Sequence, residues 1–556
     1  MKLKLFTLIL CATICANTYI GAKDISKSAQ SSICKITVFQ ADGKQLSGYG
    51  FFYEEGGKVV SSYDLFKHAK QAVITNNKGK EYAITRITGA SDTYNLVTAL
   101  TTWEKAPYIP ISSGSTTGKI IYFAKDKEPQ DAIIKDKSSL YSYNYYTYNL
   151  PNDSTSIGLP VINDEGQVIA ITQANFTKEN LLCGIDARVI KTIGINSLSF
   201  ANNAFTSIYI PKAIPTNEQD ALSYLFLATK QKKIDSTAVE TIVADFIQQY
   251  PSYTADALME RANFYASHGN YQRADDDYNE ALKKCPKDKK DQVHYAYSKI
   301  MYTYTHYPID QATEQALTAY ELNPLPLYLQ QIADCYFAEK KYNNAAETYK
   351  KLCNTTLASS YSYFQTARCL LELQEKDTIQ IIQLLDSAIA KAPVPHQEQC
   401  INYYFYRAQL FFGKGEYRKA VFDYNEIENI KKQQGLTPFF YQMRAKAELE
   451  AHMYQQALDD ADRLISLDEN NDEYYFIKIE ILLRAGEIEK AQGIASQCIK
   501  RNNKNATAYR IMGIIQAQLG NKAEAENNFK RLIFDEKYSI ININYRCLKP
   551  FRQAYA

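Results

Sequence analysis

The chain has 556 residues, of which 46% are apolar and 22% charged, with a formal charge of +2. That length exceeds what one hydrophobic core can organise, so at least two domains are expected. The near-neutral balance leaves no electrostatic footprint for nucleic acid. No segment beyond the N-terminal leader approaches the ~20 apolar residues of a membrane-spanning helix.

Residues 1–22 read as a secretory signal. Lys2 and Lys4 precede a short apolar run, with cleavage expected near Ala22. Leu10 and Ile14 stand before Cys11 and Cys15, where a lipoprotein box has a small residue, which argues against a lipid anchor. The mature protein is therefore expected to be exported, periplasmic or secreted. Of eleven cysteines nine remain after the leader, an odd number, so not all pair internally. Cys34 and Cys183 are the two in the first domain, and the sequence leaves a disulfide between them open.

Residues 30–200 alternate as short strands, at 36–39, 50–53, 59–62, 72–75, 82–87, 95–99, 120–124, 161–163 and 168–172. Turn clusters such as Asn76-Asn77-Lys78-Gly79 and Asp164-Glu165-Gly166 separate them. Many short strands with turn signals predict a sandwich or barrel.

Three motifs in this region carry a resemblance. They are Gly48-Tyr49-Gly50-Phe51-Phe52, GKVVSSYDLF over 57–66, and LPVINDEGQVIAI over 159–171. In order and spacing they resemble the trypsin-like serine proteases, closest to the HtrA-type branch. The resemblance implies an N-terminal all-β trypsin-like double barrel. It does not carry the catalytic triad. Asp64 stands at the family's histidine, Asn95 at its aspartate and Ile157 at its nucleophile, while the Gly-Gly of the oxyanion turn becomes Gly158-Leu159. A serine hydroxyl needs an adjacent imidazole to take its proton, and the carboxylate holds that imidazole in the right tautomer. A carboxylate at 64 is a poor base, and isoleucine has no nucleophile. The rival assignment takes Ser156 as nucleophile and His68 as base, with Asp92 near Asn95, and needs three independent shifts of register.

Residues 201–218, with Asn202, Asn203, Pro211 and Pro215, read as a linker. Residues 219–536 then turn helical. After a degenerate first helix pair ending at Pro251, eight units resembling tetratricopeptide repeats begin near 255, 293, 326, 360, 401, 438, 472 and 506. Unit position 8 carries Ala262, Ala333, Ala367, Ala408, Ala445 and Gly513. Position 20 carries Ala274, Ala312, Ala345, Ala420, Ala457, Ala491 and Ala525. Small side chains there let helices cross closely. The resemblance implies an all-α superhelical solenoid, and residues 537–556 form a C-terminal tail.

Positions 2, 5, 9 and 12 of each first helix share a face, which in the family lines a concave groove. That face supplies the candidate peptide-binding residues Tyr297, Tyr304, Phe337, Tyr361, Phe364, Arg368, Phe405, Phe412, Phe439 and Phe476. The family's Lys/Asn carboxylate clamp is absent apart from Asn263. The six histidines are scattered, with no HExxH, GxxxxGKS or GxGxxG, so no metal, nucleotide or small-molecule cofactor is expected.

These features predict an exported, non-catalytic scaffold or adaptor holding envelope or secreted polypeptides in the repeat groove. Two alternatives stand beside it: a divergent serine endopeptidase whose repeats select substrates, and a structural subunit of a cell-envelope complex.

Overall fold

A computed structural model describes residues 29–114, 120–122, 129–152, 157–174, 180–231, 234–432 and 435–531. The expected leader, Ser156 and the tail at 537–556 lie outside the described residues. The chain divides into two compact units, residues 1–306 and 307–556.

The first unit opens with thirteen described strands. Six of them are β1 (Ile33–Gln40), β2 (Gln45–Glu54), β3 (Lys58–Ser62), β4 (Ala69–Thr75), β5 (Glu81–Ser91) and β6 (Leu96–Thr101). They close an antiparallel barrel in the order β1-β2-β3-β6-β5-β4. Period-two alternation turns Ile36, Val38, Phe52, Val59, Ile74 and Ile87 inward, where they are buried. Gly50 lies opposite both Cys34 and Ser61. A Cβ on Gly50 would stand 2.4 Å from the Val60 carbonyl oxygen and 2.8 Å from Ile36 Cδ1, so only glycine fits.

The second sheet is built from β7 (Ile120–Tyr122), β8 (Gln130–Ala132), β9 (Ile134–Leu140), β10 (Tyr143–Pro151), β11 (Pro160–Ile162), β12 (Val168–Gln173) and β13 (Leu181–Asp186). Its order is β8-β7-β11-β12-β13-β10-β9, curled so that β8 approaches β10. The described strands thus close one barrel by hydrogen bonds and leave the second as a curled sheet. Phe51, Val60 and Leu96 of the barrel pack with Ile162, Ile171 and Ile185 of this sheet, and with Ile109 of the segment between β6 and β7, in one buried cluster. Strands β8–β10 and β13 fall where sequence alternation gives none. The edge strand β9 is mostly exposed on both faces, so no apolar period marks it.

Residues 201–218 are not a free linker. Phe205, Ile208 and Ile210 are at most 3% exposed and complete the core of the first barrel. The Lys212 ammonium donates to the carbonyl oxygens of Ile208 and Ile210, and burial pushes its pKa down to about 8. Arg86 of β5 grips Asp245 through two bonds of 2.5 and 2.9 Å, fastening the barrel to the helix Ser236–Gln249.

Short helices α1 (Tyr63–Phe66) and α2 (Asn203–Thr206) belong to the β region. The first unit continues with α3 (Glu218–Thr229), α4 (Ser236–Gln249), α5 (Thr254–Ser267), α6 (Tyr271–Lys284) and α7 (Lys290–Thr303). The second unit holds α8 (Ile309–Leu322), α9 (Pro326–Ala338), α10 (Tyr342–Cys353), α11 (Ser360–Glu372), α12 (Thr378–Ala390), α13 (Cys400–Gly413) and α14 (Tyr417–Lys431). It ends with α15 (Pro438–Glu450), α16 (Tyr454–Leu467), α17 (Asp472–Arg484), α18 (Ile488–Arg501), α19 (Ala506–Gln518) and α20 (Lys522–Lys530).

The small residues of the repeat sit at helix crossings. Ala262, Ala274, Ala333, Ala345, Ala408, Ala420, Ala457 and Ala491 are wholly buried. A Cβ on Gly513 would meet the Phe529 ring at 2.6 Å. Ala345→Leu is expected to cost about 1–3 kcal/mol through overpacking, read as an earlier urea midpoint; an unchanged midpoint contradicts the crossing argument.

An ion pair recurs inside three hairpins. Arg261 binds Asp277, Arg407 binds Asp423 and Arg444 binds Asp460, each through two bonds of 2.6–2.9 Å. Each partner lies sixteen residues downstream, at positions 7 and 23 of the repeat. The planar guanidinium fork matches a carboxylate and lets both charges be buried together.

Candidate functional site

Of the three positions set against the family's triad, Asp64 and Asn95 meet directly, and the turn after Ile157 runs beside the end of β3. Strand β3 ends at Ser62, whose hydroxyl accepts from the Leu65 amide and caps α1. Asp64 is exposed in that first turn. Asn95 precedes β6 at φ +48°, a left-handed conformation that asparagine tolerates. Its side-chain oxygen accepts from the Asp64 amide at 2.9 Å, and its carbonyl accepts from the Tyr63 amide at 3.1 Å. Asn95 therefore satisfies the open amides of α1 and orients no imidazole.

Gly158, at φ +85°, brings the third position alongside. A Cβ there would lie 2.8 Å from the Tyr49 carbonyl oxygen and 3.3 Å from the Ser62 amide nitrogen. The amides that follow Ile157 are already used. Gly158 donates to the Thr172 carbonyl at 3.0 Å, and Leu159 donates to the Thr172 hydroxyl at 2.8 Å. That hydroxyl returns its proton to the Leu159 carbonyl at 3.1 Å. These bonds fix the turn that follows Ile157 on the end of β12.

No described side chain here forms a base–nucleophile pair. Ser61 is buried and donates to the Tyr49 carbonyl at 2.7 Å. The rival base His68, at φ +63°, lies with its ring 6.3 Å from that of Tyr209, and its amide donates to the Ser207 carbonyl at 2.7 Å. Cys34 and Cys183 are buried free thiols on different sheets. Cys34 donates to the Gly50 carbonyl at 3.5 Å, and burial pushes its thiol well above the ordinary range.

The expected groove residues divide into core and surface. Tyr297 is buried: its ring stacks on Tyr278 at 4.5 Å and its hydroxyl donates to Asp275 at 2.8 Å. Phe364 and Phe476 are also buried, at 7% and 9% exposure. Repeat-to-repeat packing consumes these three, because an aromatic at a helix crossing fills the volume beside the small residue. Tyr304 lines a cleft of about 640 Å³ in the first unit, with Asn263, His268, Tyr295 and Lys299.

In the second unit cation–ring and ring–ring contacts link partly exposed side chains, in one stretch through the buried Phe364. The Arg368 guanidinium lies 4.5 Å above the Phe337 ring and 5.9 Å from Phe364. Phe364 contacts Tyr406 at 5.9 Å, Tyr406 contacts Phe405 at 6.2 Å, and Phe405 contacts Phe439 at 6.2 Å between ring centroids. Phe439 is 56% exposed and Tyr361 37%. The Lys446 ammonium lies 5.3 Å over Phe412. Asp334 accepts the hydroxyls of Tyr361 and Tyr349, and burial raises its carboxyl above the ordinary range. Sequence periodicity found this face, Arg368 included, but not that Arg368 and Lys446 seat on its rings.

Among known families, a tetratricopeptide repeat model matches residues 255–288. A model described as anaphase-promoting complex, cyclosome, subunit 3 matches residues 450–532. None of the curated proteins matches the chain. Solved structures similar to it include the HtrA-type protease AlgW with a tripeptide, at 13% identity, covering 31% of this chain and 62% of that one, with a TM-score of 0.28. They also include the Rv3671c protease from M. tuberculosis in its active form, at 14% identity, covering 30% of this chain and 82% of that one, with a TM-score of 0.27. The serine endoprotease from Yersinia pestis is 14% identical, covering 32% and 66% respectively, with a TM-score of 0.27. The chain thus spans less than two thirds of the length of the HtrA-type protease.

Proposed function

We propose that this chain is an exported, non-catalytic adaptor that holds polypeptide partners on the aromatic stripe of its helical repeats. Tetratricopeptide repeats indicate protein–protein interaction. The observation that carries the non-catalytic reading is the chemistry around Ile157. An aliphatic side chain stands at the nucleophile position, and Asn95, at the aspartate position, is spent capping α1. General-base activation of a hydroxyl requires base and nucleophile within hydrogen-bond reach, and the described residues around Asp64, Asn95 and Ile157 supply no such pair.

The β domain, residues 30–200 together with the packed segment 201–218, is then an inert module on the repeat region. The leader at 1–22 supports export to the periplasm or beyond, and N-terminal sequencing of the mature protein beginning near Lys23 tests it.

Two measurements test the lack of catalysis. The full chain is expected to resist labelling by a fluorophosphonate probe and to leave a fluorogenic casein substrate intact, identically for wild type and Ser156→Ala. Probe covalently attached at Ser156, abolished in Ser156→Ala, overturns the reading in favour of a divergent endopeptidase. Ile157→Ser is likewise expected to stay inactive, because a hydroxyl placed there has no described imidazole partner.

A further inference from the structure

The stripe of the second unit carries two cations that form no ion pair with the described residues. Arg368 bonds only to the Gln365 side-chain oxygen, at 3.0 Å, and rests over Phe337. Lys446 is exposed over Phe412, and the carboxylate one turn along, Glu450, is held by Arg484 at 2.6 Å. Elsewhere in the unit the arginines at repeat position 7 close on carboxylates of their own hairpins. Arg368 and Lys446 both stand at position 9, on the groove face, each above an aromatic at position 12 of the preceding repeat. Asp334, at position 9 of its own repeat, accepts the hydroxyls of Tyr349 and Tyr361 on one oxygen. Phe439 supplies exposed apolar surface on the same stripe.

We infer that the stripe over α9–α15 takes an acidic polypeptide segment, with carboxylates meeting Arg368 and Lys446 and apolar side chains lying against Phe439 and Phe337. This rests on the adaptor reading above and adds the charge of the partner to it. The argument is complementarity. A cation over a ring face is partly desolvated and pre-positioned, so a carboxylate gains more there than at a free surface lysine. The flanking rings exclude water around each pair.

The test uses the full chain and two labelled dodecapeptides, one alternating Leu with Asp and one alternating Leu with Asn, followed by fluorescence anisotropy. The Asp peptide is expected to bind about tenfold more tightly than the Asn peptide, with an affinity that falls as salt rises. The double variant Arg368→Gln/Lys446→Gln is expected to bring the two peptides to equal affinity, while Phe439→Ser weakens both. Circular dichroism of each variant checks that the helices remain. Equal binding of the two peptides by wild type overturns the acidic-partner inference and leaves the groove reading intact. Binding of neither overturns both. Tighter binding of a labelled single-stranded oligonucleotide of twelve thymidines than of the Asp peptide also overturns the inference, and assigns the cations to phosphate.

Discussion

Arg444→Ala is expected to destabilise the second unit by about 3–5 kcal/mol, the cost of stranding buried charge. Arg444 is 2% exposed and sits at the centre of a charge cluster spanning α14, α15 and α16. Its Nε and Nη2 bind the Asp460 carboxylate at 2.7 and 2.8 Å, and its Nη1 binds Glu428 at 2.8 Å and Asn425 at 3.1 Å. Removal leaves Asp460, 1% exposed, with Arg463 as its remaining cation at 2.9 Å. Arg444→Lys is expected to recover only part of the loss, since an ammonium cannot serve both oxygens of Asp460 and Glu428 in one plane. By contrast Arg273→Ala, which breaks the surface pair with Glu240, is expected to leave the urea midpoint nearly unchanged. Urea titrations followed by far-ultraviolet circular dichroism measure all three. A loss from Arg444→Ala no larger than that from Arg273→Ala would show that the cluster is solvated.

The same cluster sets a pH dependence. Glu448, 3% exposed, lies one turn after Arg444, with its Oε1 3.8 Å from the Arg444 Nε and its Oε2 buried without a hydrogen-bond partner. Burial, then repulsion from Asp460, pushes its carboxyl from 4.5 up to about 8, against the pull of Arg444 and Arg463. The folded chain therefore holds this proton more tightly than the unfolded chain. Where the native state binds more protons, stability falls as pH rises. The contribution is full below about pH 4.5 and is lost progressively up to about pH 8. Over that window the loss amounts to about 4 kcal/mol. Glu448→Gln keeps the shape and cannot ionise, so it is expected to remove most of this slope and to exceed wild type in stability at pH 8. Parallel slopes for wild type and Glu448→Gln, in urea midpoints across the window, would show that Glu448 ionises normally.

The repeat half was legible because its spacing is dictated by geometry. A hairpin that stacks on its neighbours must place a small residue at each crossing, and Ala262, Ala345, Ala420 and Ala491 report that requirement directly. Helix starts at Pro326, Ser360, Pro438, Asp472 and Ala506 coincide with the frame. Strands β1–β6 were legible through alternation. Strand β9 was not, since IKDKSSL presents polar groups to both faces. The segment 201–218 misled because asparagine and proline mark irregular backbone without saying whether it is buried. Here Ile208, Ile210 and Ile214 are buried at 0–3% exposure. At the proposed degenerate site the identities of Asp64, Asn95 and Ile157 were readable, but not that Asn95 binds the amides of α1. In the groove, helical spacing selected the face but did not separate Tyr297, Phe364 and Phe476, which pack inward, from Phe439, which does not. That distinction depends on how far neighbouring helices overlap, which one helix's period does not encode.

The arginine–aspartate pairs at sixteen-residue spacing bear on how such a chain can grow. Arg261–Asp277, Arg407–Asp423 and Arg444–Asp460 each close within a single helical hairpin. Copying or deleting that hairpin as a block carries both members of its buried pair together and strands neither. The ties Lys478–Asp462 and Arg484–Glu450 instead run between hairpins, so a cut there severs a bond at each junction. Whole hairpins are accordingly the unit in which such an array changes length with its buried Arg–Asp pairs intact, and each cut severs the ties between neighbours, Arg407–Asp386 and Arg444–Glu428 among them.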